Sequence, residues 1–157
     1  MVDAGIKAEH VNPFIKAAID TFQTMANLKA IPGKICMKDK LTSAYDVSGI
    51  IGLSGGAKGL VALSFPHASA LAVVQAITGE KKVKESRIID SIGELANIVA
   101  GAAKKDLSQF KIKISLPTVI TGANHSINGP VDAMGLVVPF EYIGGKFDLA
   151  VCFKSLI

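Results

Sequence analysis

Tyr45-Asp46-Val47-Ser48-Gly49-Ile50-Ile51-Gly52-Leu53, a glycine-rich run, and then Gly59-Leu60-Val61-Ala62-Leu63-Ser64-Phe65-Pro66 decide the fold class of this chain. Apolar and β-branched residues stand on both sides of a turn rich in glycine, so residues 44–65 read as a β-hairpin. Pro66 has a fixed φ and no N–H to give a ladder, so it ends the strand and opens a helix. That helix runs through Ala70, Val73, Val74 and Ile77 and stops at Thr78-Gly79.

Upstream, Asn12 and Pro13 read as the N-cap and first residue of a helix in which Phe14, Ala18, Phe22 and Met25 recur to about Asn27. A short strand follows at Ile35 to Met37. Downstream comes a long helix from about Ser86 to Phe110, then strands near residues 111–120, 131–139 and 145–153. Helices alternating with mostly hairpin-linked strands predict an α+β domain spanning residues 1–157, with long helices on a largely antiparallel six-stranded sheet. No composition break divides it.

Half of the 157 residues are hydrophobic and the mean hydropathy is +0.43, yet no apolar run nears the roughly 18–20 residues of a membrane span. Gly, Ser, Pro and Lys interrupt the apolar segments, as in a folded core, so membrane insertion is not expected. The first ten residues lack a basic region followed by an apolar one, and the expected compartment is the cytoplasm. Cys36 and Cys152 lie far apart in apolar segments and read as two reduced, buried thiols. A net charge of +4 permits an acidic partner. The basic residues are scattered without interleaved aromatics, which disfavours nucleic acid. The densest basic run, Lys81-Lys82-Val83-Lys84, reads as a solvated loop between two helices.

Several motifs imitate active sites. Gly52-Leu-Ser-Gly-Gly-Ala-Lys58-Gly59 resembles a phosphate loop, but it lacks the Gly-Lys-Ser/Thr ending and precedes a strand, so it reads as a hairpin turn. His10, His67 and His125 show no ligand spacing with each other or with the cysteines, and no metal site is expected. No Gly-x-Ser-x-Gly or Cys/His pair points to covalent hydrolysis.

The stretch Asp90-Ser-Ile-Gly93-Glu94-Leu-Ala-Asn97-Ile-Val-Ala-Gly101-Ala-Ala-Lys104 differs from all of these. At about 100° per residue, Ile88, Ile92, Leu95, Val99 and Ala102 form an apolar stripe. Asp90, Glu94, Asn97, Gly101 and Lys104 gather opposite it. Gly93, Ala96, Ala100 and Gly101 project little, so Glu94 and Asn97 read as standing up from a smooth surface suited to insertion into a partner. Three residues apart, the two side chains are neighbours on one face. A carboxamide donates and accepts at once and can hold a water against a phosphoryl oxygen. A carboxylate can pair with a partner lysine. Alone, Glu-x-x-Asn is equally an ordinary wet helix face, and it recurs at Glu9-His-Val-Asn12, where Asn12 reads as a cap.

Asp90-x-x-x-Glu94-x-x-Asn97, the following Ile-Val-Ala-Gly-x-Ala-Lys104 and Ser115-Leu-Pro117-Thr-Val-Ile-x-Gly122 together resemble the CheC/CheX/FliY family of chemotaxis phosphatases. Asn12-Pro-Phe-Ile, Asp46-Val-Ser-Gly-Ile-Ile-Gly-Leu-Ser-Gly, Gly59-Leu-Val-Ala-Leu-Ser-Phe-Pro66 and Gly-Lys-Phe-Asp-Leu-Ala-Val-Cys152 extend the likeness to its CheX branch. The resemblance implies a CheC-like fold and hydrolysis of the phospho-aspartate of the response regulator CheY. Asn97 would orient the attacking water and Glu94 would grip the regulator's active-site lysine. It implies partner contacts at Asp90, Gly93, Gly101, Lys104 and Pro117, no cofactor in this chain, and Mg2+ on the regulator. Asp90 is left to orient Lys104 or a partner residue, or to be solvated. The first helix reads Ala18-Ile-Asp20-Thr-Phe-Gln23 at the matching place, so one site per chain is expected, and the resemblance to CheX-type members implies a homodimer. Nineteen residues separate Asn97 from Pro117, implying a short helix–strand turn. The rival reading is a docking or adaptor module without catalysis, as in flagellar-switch relatives.

Overall fold

The computed structural model describes residues 8–38, 41–42, 45–123, 125–127 and 135–156. In chain order the elements are α1 (Ala8–Ala26), β1 (Ile31–Pro32), β2 (Cys36–Lys38), β3 (Leu41–Thr42), β4 (Val47–Gly55), β5 (Ala57–Phe65), α2 (His67–Thr78) and α3 (Glu85–Lys105). A 3-10 turn (Ser108–Phe110) leads to β6 (Ile112–Ile114), β7 (Thr118–Thr121), β8 (Ser126–Ile127), β9 (Gly135–Tyr142) and β10 (Gly145–Ser155).

The α+β expectation holds. Among the described residues eight strands form one antiparallel sheet along the path β1-β9-β10-β5-β4-β6. Its width is the six strands expected, because β2 shares the outer side of β9 with β1, and β7 shares the outer side of β4 with β6. A separate β3–β8 pair was not foreseen.

The hairpin of residues 44–65 is β4 and β5, with Val47 opposite Phe65 and Leu53 opposite Gly59; Ala44 lies outside the described residues. The strands extend into the glycine run, leaving only Gly56 between them, and Gly55 turns with φ of 85°. Pro66 precedes α2 as expected, and Gly79 closes it in the left-handed conformation, its N–H donating to Gln75 O. The side chain of Asp46 reaches over from the hairpin, and its Oδ2 accepts the His67 N–H at 2.9 Å.

Three boundaries differ from the sequence reading. Helix α1 begins by Ala8, so Asn12 is no cap and Pro13 lies inside the helix. There Pro13 forfeits only the bond to the Glu9 carbonyl, near an end that already lacks partners. Helix α3 stops at Lys105, and the 3-10 turn takes up the rest before Lys111 adopts φ of 49°. The strand expected over 111–120 is broken into β6 and β7. The first residues of the strand expected at 131–139 lie outside the described residues; β9 carries the remainder.

The three α-helices of the described residues cover one face of the sheet, with α1 beside α3 and α3 across β4. The main core between them includes Phe14, Phe22, Val47, Ile51, Leu63, Phe65, Ile92, Leu95, Phe147 and Leu149. Phe22, Phe65, Phe140 and Phe147 stack there, with Phe147 4.7 Å from both Phe22 and Phe140. A smaller cluster on the opposite face holds Ala62, Ile127, Val137, Ala150 and Cys152. Cys152 is buried as expected, whereas Cys36 on the edge strand β2 is exposed. No helix of the described residues is long and apolar enough to cross a membrane.

Candidate active site

Helix α3 buries Ile88, Ile92, Leu95 and Val99, as its pattern requires, but the fifth core position is Ala103 rather than Ala102, which is exposed. The opposite face presents Asp90, Glu94, Asn97 and Lys104, all exposed. Among the described residues, none of these four side chains makes a hydrogen bond or ion pair. Asp90 therefore does not orient Lys104. Fourteen residues apart on α3, their backbones are separated by roughly 21 Å of helix.

The small residues do something other than smooth the surface. Gly93, Ala96 and Ala100 are buried. A Cβ on Gly93 would lie 3.1 Å from Val119 Cγ2 and 3.5 Å from Pro117 Cβ. Under the same helix, a Cβ on Gly49 of β4 would lie 2.8 Å from the Ile92 carbonyl oxygen and 3.1 Å from Ala96 Cβ. Gly49, Gly93 and Ala96 thus let α3 sink onto β4 and β7. Only Gly101 stays half-exposed, with Ile114 Cδ1 3.9 Å from where its Cβ would be. Glu94 and Asn97 consequently project from a backbone anchored by buried Gly93, Leu95 and Ala96.

Pro117 reaches this helix through a β-bulge. Ile50 pairs with Thr118 and Leu53 with Ile114, so Ile51 and Gly52 of β4 face three residues, Ser115, Leu116 and Pro117. Ser115 stitches the bulge: its N–H donates to Gly52 O at 2.9 Å, and its Oγ accepts the Gly52 N–H at 2.8 Å. The extra residue tucks Pro117 against Gly93 and pushes Leu116 out to 86 % exposure. Leu116 was not singled out from the sequence, because a bulge is visible only in the pairing register. On the other flank, Ala17, Asp20, Thr21, Thr24 and Met25 of α1 and Ile98 and Ala102 of α3 line a shallow, mostly apolar depression of about 290 Å³.

Glu9 and Asn12, the second Glu-x-x-Asn pair, are both exposed on α1, with Glu9 3.7 Å from His10. One further constellation imitates a nucleophile and its base. Ser48 Oγ is 2.7 Å from His125 Nε2, and His125 Nδ1 is 2.7 Å from Gly122 O. Ser48 has no exposed surface and also meets Ser64 Oγ at 2.8 Å. These bonds fasten Gly122 and His125 to β4, and the buried Ser48 offers a substrate no access. Among the described residues, no three His, Cys, Asp or Glu gather as a metal site would require.

The family model "Chemotaxis phosphatase CheX" matches residues 47–141. The CheY-P phosphatase CheX of Thermotoga maritima is 28% identical over 155 residues, covering 94% of this chain and 97% of that protein. The crystal structure of a CheC-like superfamily protein from Shewanella sp. PV-4 superposes with a TM-score of 0.85 at 32% identity, covering 96% of this chain and 100% of that one. The CheX chain of the CheX–CheY–BeF3–Mg2+ complex from Borrelia burgdorferi shares the fold with a TM-score of 0.75 at 22% identity, covering 95% and 100% of the two chains.

Proposed function

The chain belongs to the chemotaxis phosphatase CheX family, and from that membership we propose that it hydrolyses the phospho-aspartate of a CheY-type response regulator. Asn97 positions the water and Glu94 fixes the regulator in register. The observation that carries this reading is the pairing of two untied, exposed side chains with a buried, closely packed helix underside. Among the described residues neither polar group has a partner, and the packed underside keeps the backbone beneath them from drifting.

The chemistry asks for little more. An acyl phosphate is already labile, so most of the gain comes from alignment of the nucleophile with the phosphorus. The Asn97 carboxamide accepts a hydrogen bond from the water and donates one to a phosphoryl oxygen. The Glu94 carboxylate takes a charge-assisted bond from the regulator's lysine, which fixes the docking register. The phosphoryl group and its Mg2+ reside on the regulator, where the cation supplies charge neutralisation. Pro117 and Leu116 on one flank, and the α1–α3 depression on the other, complete the contact surface.

We read the assembly as a homodimer joined through sheet edges. Ile31 on β1 and Met37 on β2 are exposed along the outer side of β9, the kind of edge that pairing covers. Sedimentation that shows only monomer at micromolar concentration refutes that part. For the reaction, the test is phosphate release from phosphorylated CheY. Asn97→Ala is expected to lose roughly a hundredfold in rate while still binding the regulator, and Glu94→Ala to lose both rate and binding. An unchanged rate for Asn97→Ala overturns the catalytic reading in favour of docking alone.

A further inference from the structure

The loop from α2 to α3 holds the densest basic run of the sequence, and the structure gives it a place beside the candidate active face. Glu80, Lys82, Lys84, Ser86, Arg87 and Asp90 line an open cleft of about 380 Å³ at the start of α3. All six are exposed. Three cations face two carboxylates there, and no ion pair among the described residues involves any of them. Glu85 does not line the cleft, and its Oε2 lies 2.9 Å from His67 Nε2.

This loop is held at both ends. Gly79 caps α2, Glu80 N–H donates to Thr78 Oγ1 at 3.2 Å, and Gln75 Nε2 donates to Lys81 O at 2.8 Å. Val83 packs against the main core between the two lysines. The N–H groups of Arg87 and Ile88 both bond to Lys84 O. The cations are therefore presented from a fixed backbone, which lowers the ordering cost of using them in a complex.

Their position matters as much as their charge. Residues 87, 90, 94 and 101 fall on one stripe of α3, since steps of three, four and seven residues return to the same side. Arg87 is seven residues from Glu94, about 10 Å along the axis. An interface of standard size covers about 800 Å² per partner, a patch roughly 30 Å across. A regulator seated with its phospho-aspartate over Glu94 and Asn97 thus extends over the cleft.

Resting on the proposed function, we propose that Lys82, Lys84 and Arg87 form a cationic rim that captures acidic side chains on the regulator's surface beside its phosphorylated residue. The rim fits an anionic partner by its excess of positive charge, on a chain whose net charge is +4. Charges at such a rim act chiefly on encounter rate and salt dependence rather than on the chemical step.

The test uses the full chain and two readouts: phosphate release from a phosphorylated CheY-type regulator, and binding to the same regulator activated with beryllofluoride. The triple variant Lys82→Glu/Lys84→Glu/Arg87→Glu is expected to raise KM and Kd about tenfold at low ionic strength, with kcat retained and the salt dependence flattened or reversed. The glutamine triple variant falls between it and the wild type, and remains informative if the charge-reversed chain folds poorly. Unchanged Kd and an unchanged salt slope in both variants overturn the rim, whatever the catalytic rate. If the wild type releases no phosphate yet binds through these residues in a salt-dependent way, the rim stands and the phosphatase reading fails.

Discussion

Gly49→Ala tests the claim that α3 is set by its depth on the sheet. The new Cβ would stand 2.8 Å from the Ile92 carbonyl oxygen, 3.1 Å from Ala96 Cβ and 3.2 Å from Ile92 Cγ2. Ordinary contact starts near 3.4 Å, so the helix must rise by about 0.6 Å, and the nearest obstacle is backbone that no rotamer change can remove. Overpacking of this kind costs about 1–3 kcal/mol. Replacing a strand glycine by alanine returns roughly 0.5–1 kcal/mol of chain entropy, leaving a net loss of about 1–2 kcal/mol. For a chain of this length that lowers Tm by about 2–8 °C. Gly101→Ala is the control on the same helix. Its Cβ meets only Ile114 Cδ1 at 3.9 Å, and the gain in helix propensity of up to about 1 kcal/mol raises Tm. Differential scanning calorimetry reads both. Ala96 precedes Asn97, so on the role proposed for Asn97 the Gly49→Ala substitution is also expected to lower phosphatase turnover. A Gly49→Ala chain as stable and active as wild type refutes the reasoning.

Ser115→Ala removes the acceptor of the Gly52 N–H in the bulge; about 1 kcal/mol of stability is lost, and faster exchange of the Gly52 amide proton, followed by NMR, reports it. Tyr142 donates its hydroxyl to Ser69 O at 2.6 Å in a buried site, and burial pushes its pKa well above the usual value of 10.0. Its folded pKa exceeds its unfolded one, so its contribution is fully present below about pH 10 and declines as pH rises beyond that. Tyr142→Phe therefore flattens the alkaline fall in Tm; an identical fall in both proteins contradicts this. Burial likewise raises the pKa of Cys152, whereas Cys36 is exposed. A thiol-reactive reagent at neutral pH is expected to modify one cysteine quickly and the second only on unfolding, and two fast equivalents would contradict the burial.

The parts of the fold that were legible in the sequence are those whose signals are local. Apolar and β-branched runs on both sides of a glycine-rich turn marked β4 and β5, Pro66 and Gly79 bracketed α2, and the apolar stripe of α3 gave four of its five named core contacts. What stayed hidden depends on pairing between distant residues. The interruption between β6 and β7 follows from where β4 places its register, and Ser115 reads as strand until Gly52 is seen opposite it. Pro13 looked like a helix start because a proline costs least there, and the chain tolerates it slightly further in. His125 and Ser48, 77 residues apart, have no spacing rule that joins them.

The same limit explains the misread surface of the site. Helical projection sorts residues by angle, and it placed Gly93, Ala96 and Ala100 near Glu94 and Asn97 without saying which surface the sheet would cover. The sheet wraps further around α3 than the apolar stripe alone requires, because Gly49, Gly93 and Ala96 leave no side chain to hold it off. Burying that shoulder narrows the exposed ridge to Asp90, Glu94, Asn97 and Lys104, with Arg87 in line at the helix start. A broad smooth face would accept many partners and specify none. A narrow polar ridge with an apolar depression on one side, Leu116 on the other and cations at its head constrains both the depth and the orientation of whatever docks. In the proposed mechanism, charge at the head of the ridge would set how fast a partner arrives, and the anchored backbone under Asn97 would set how well the water is aligned. The two effects sit on separate residues, so the rim variants should shift KM and the Gly49→Ala and Asn97→Ala variants should shift kcat.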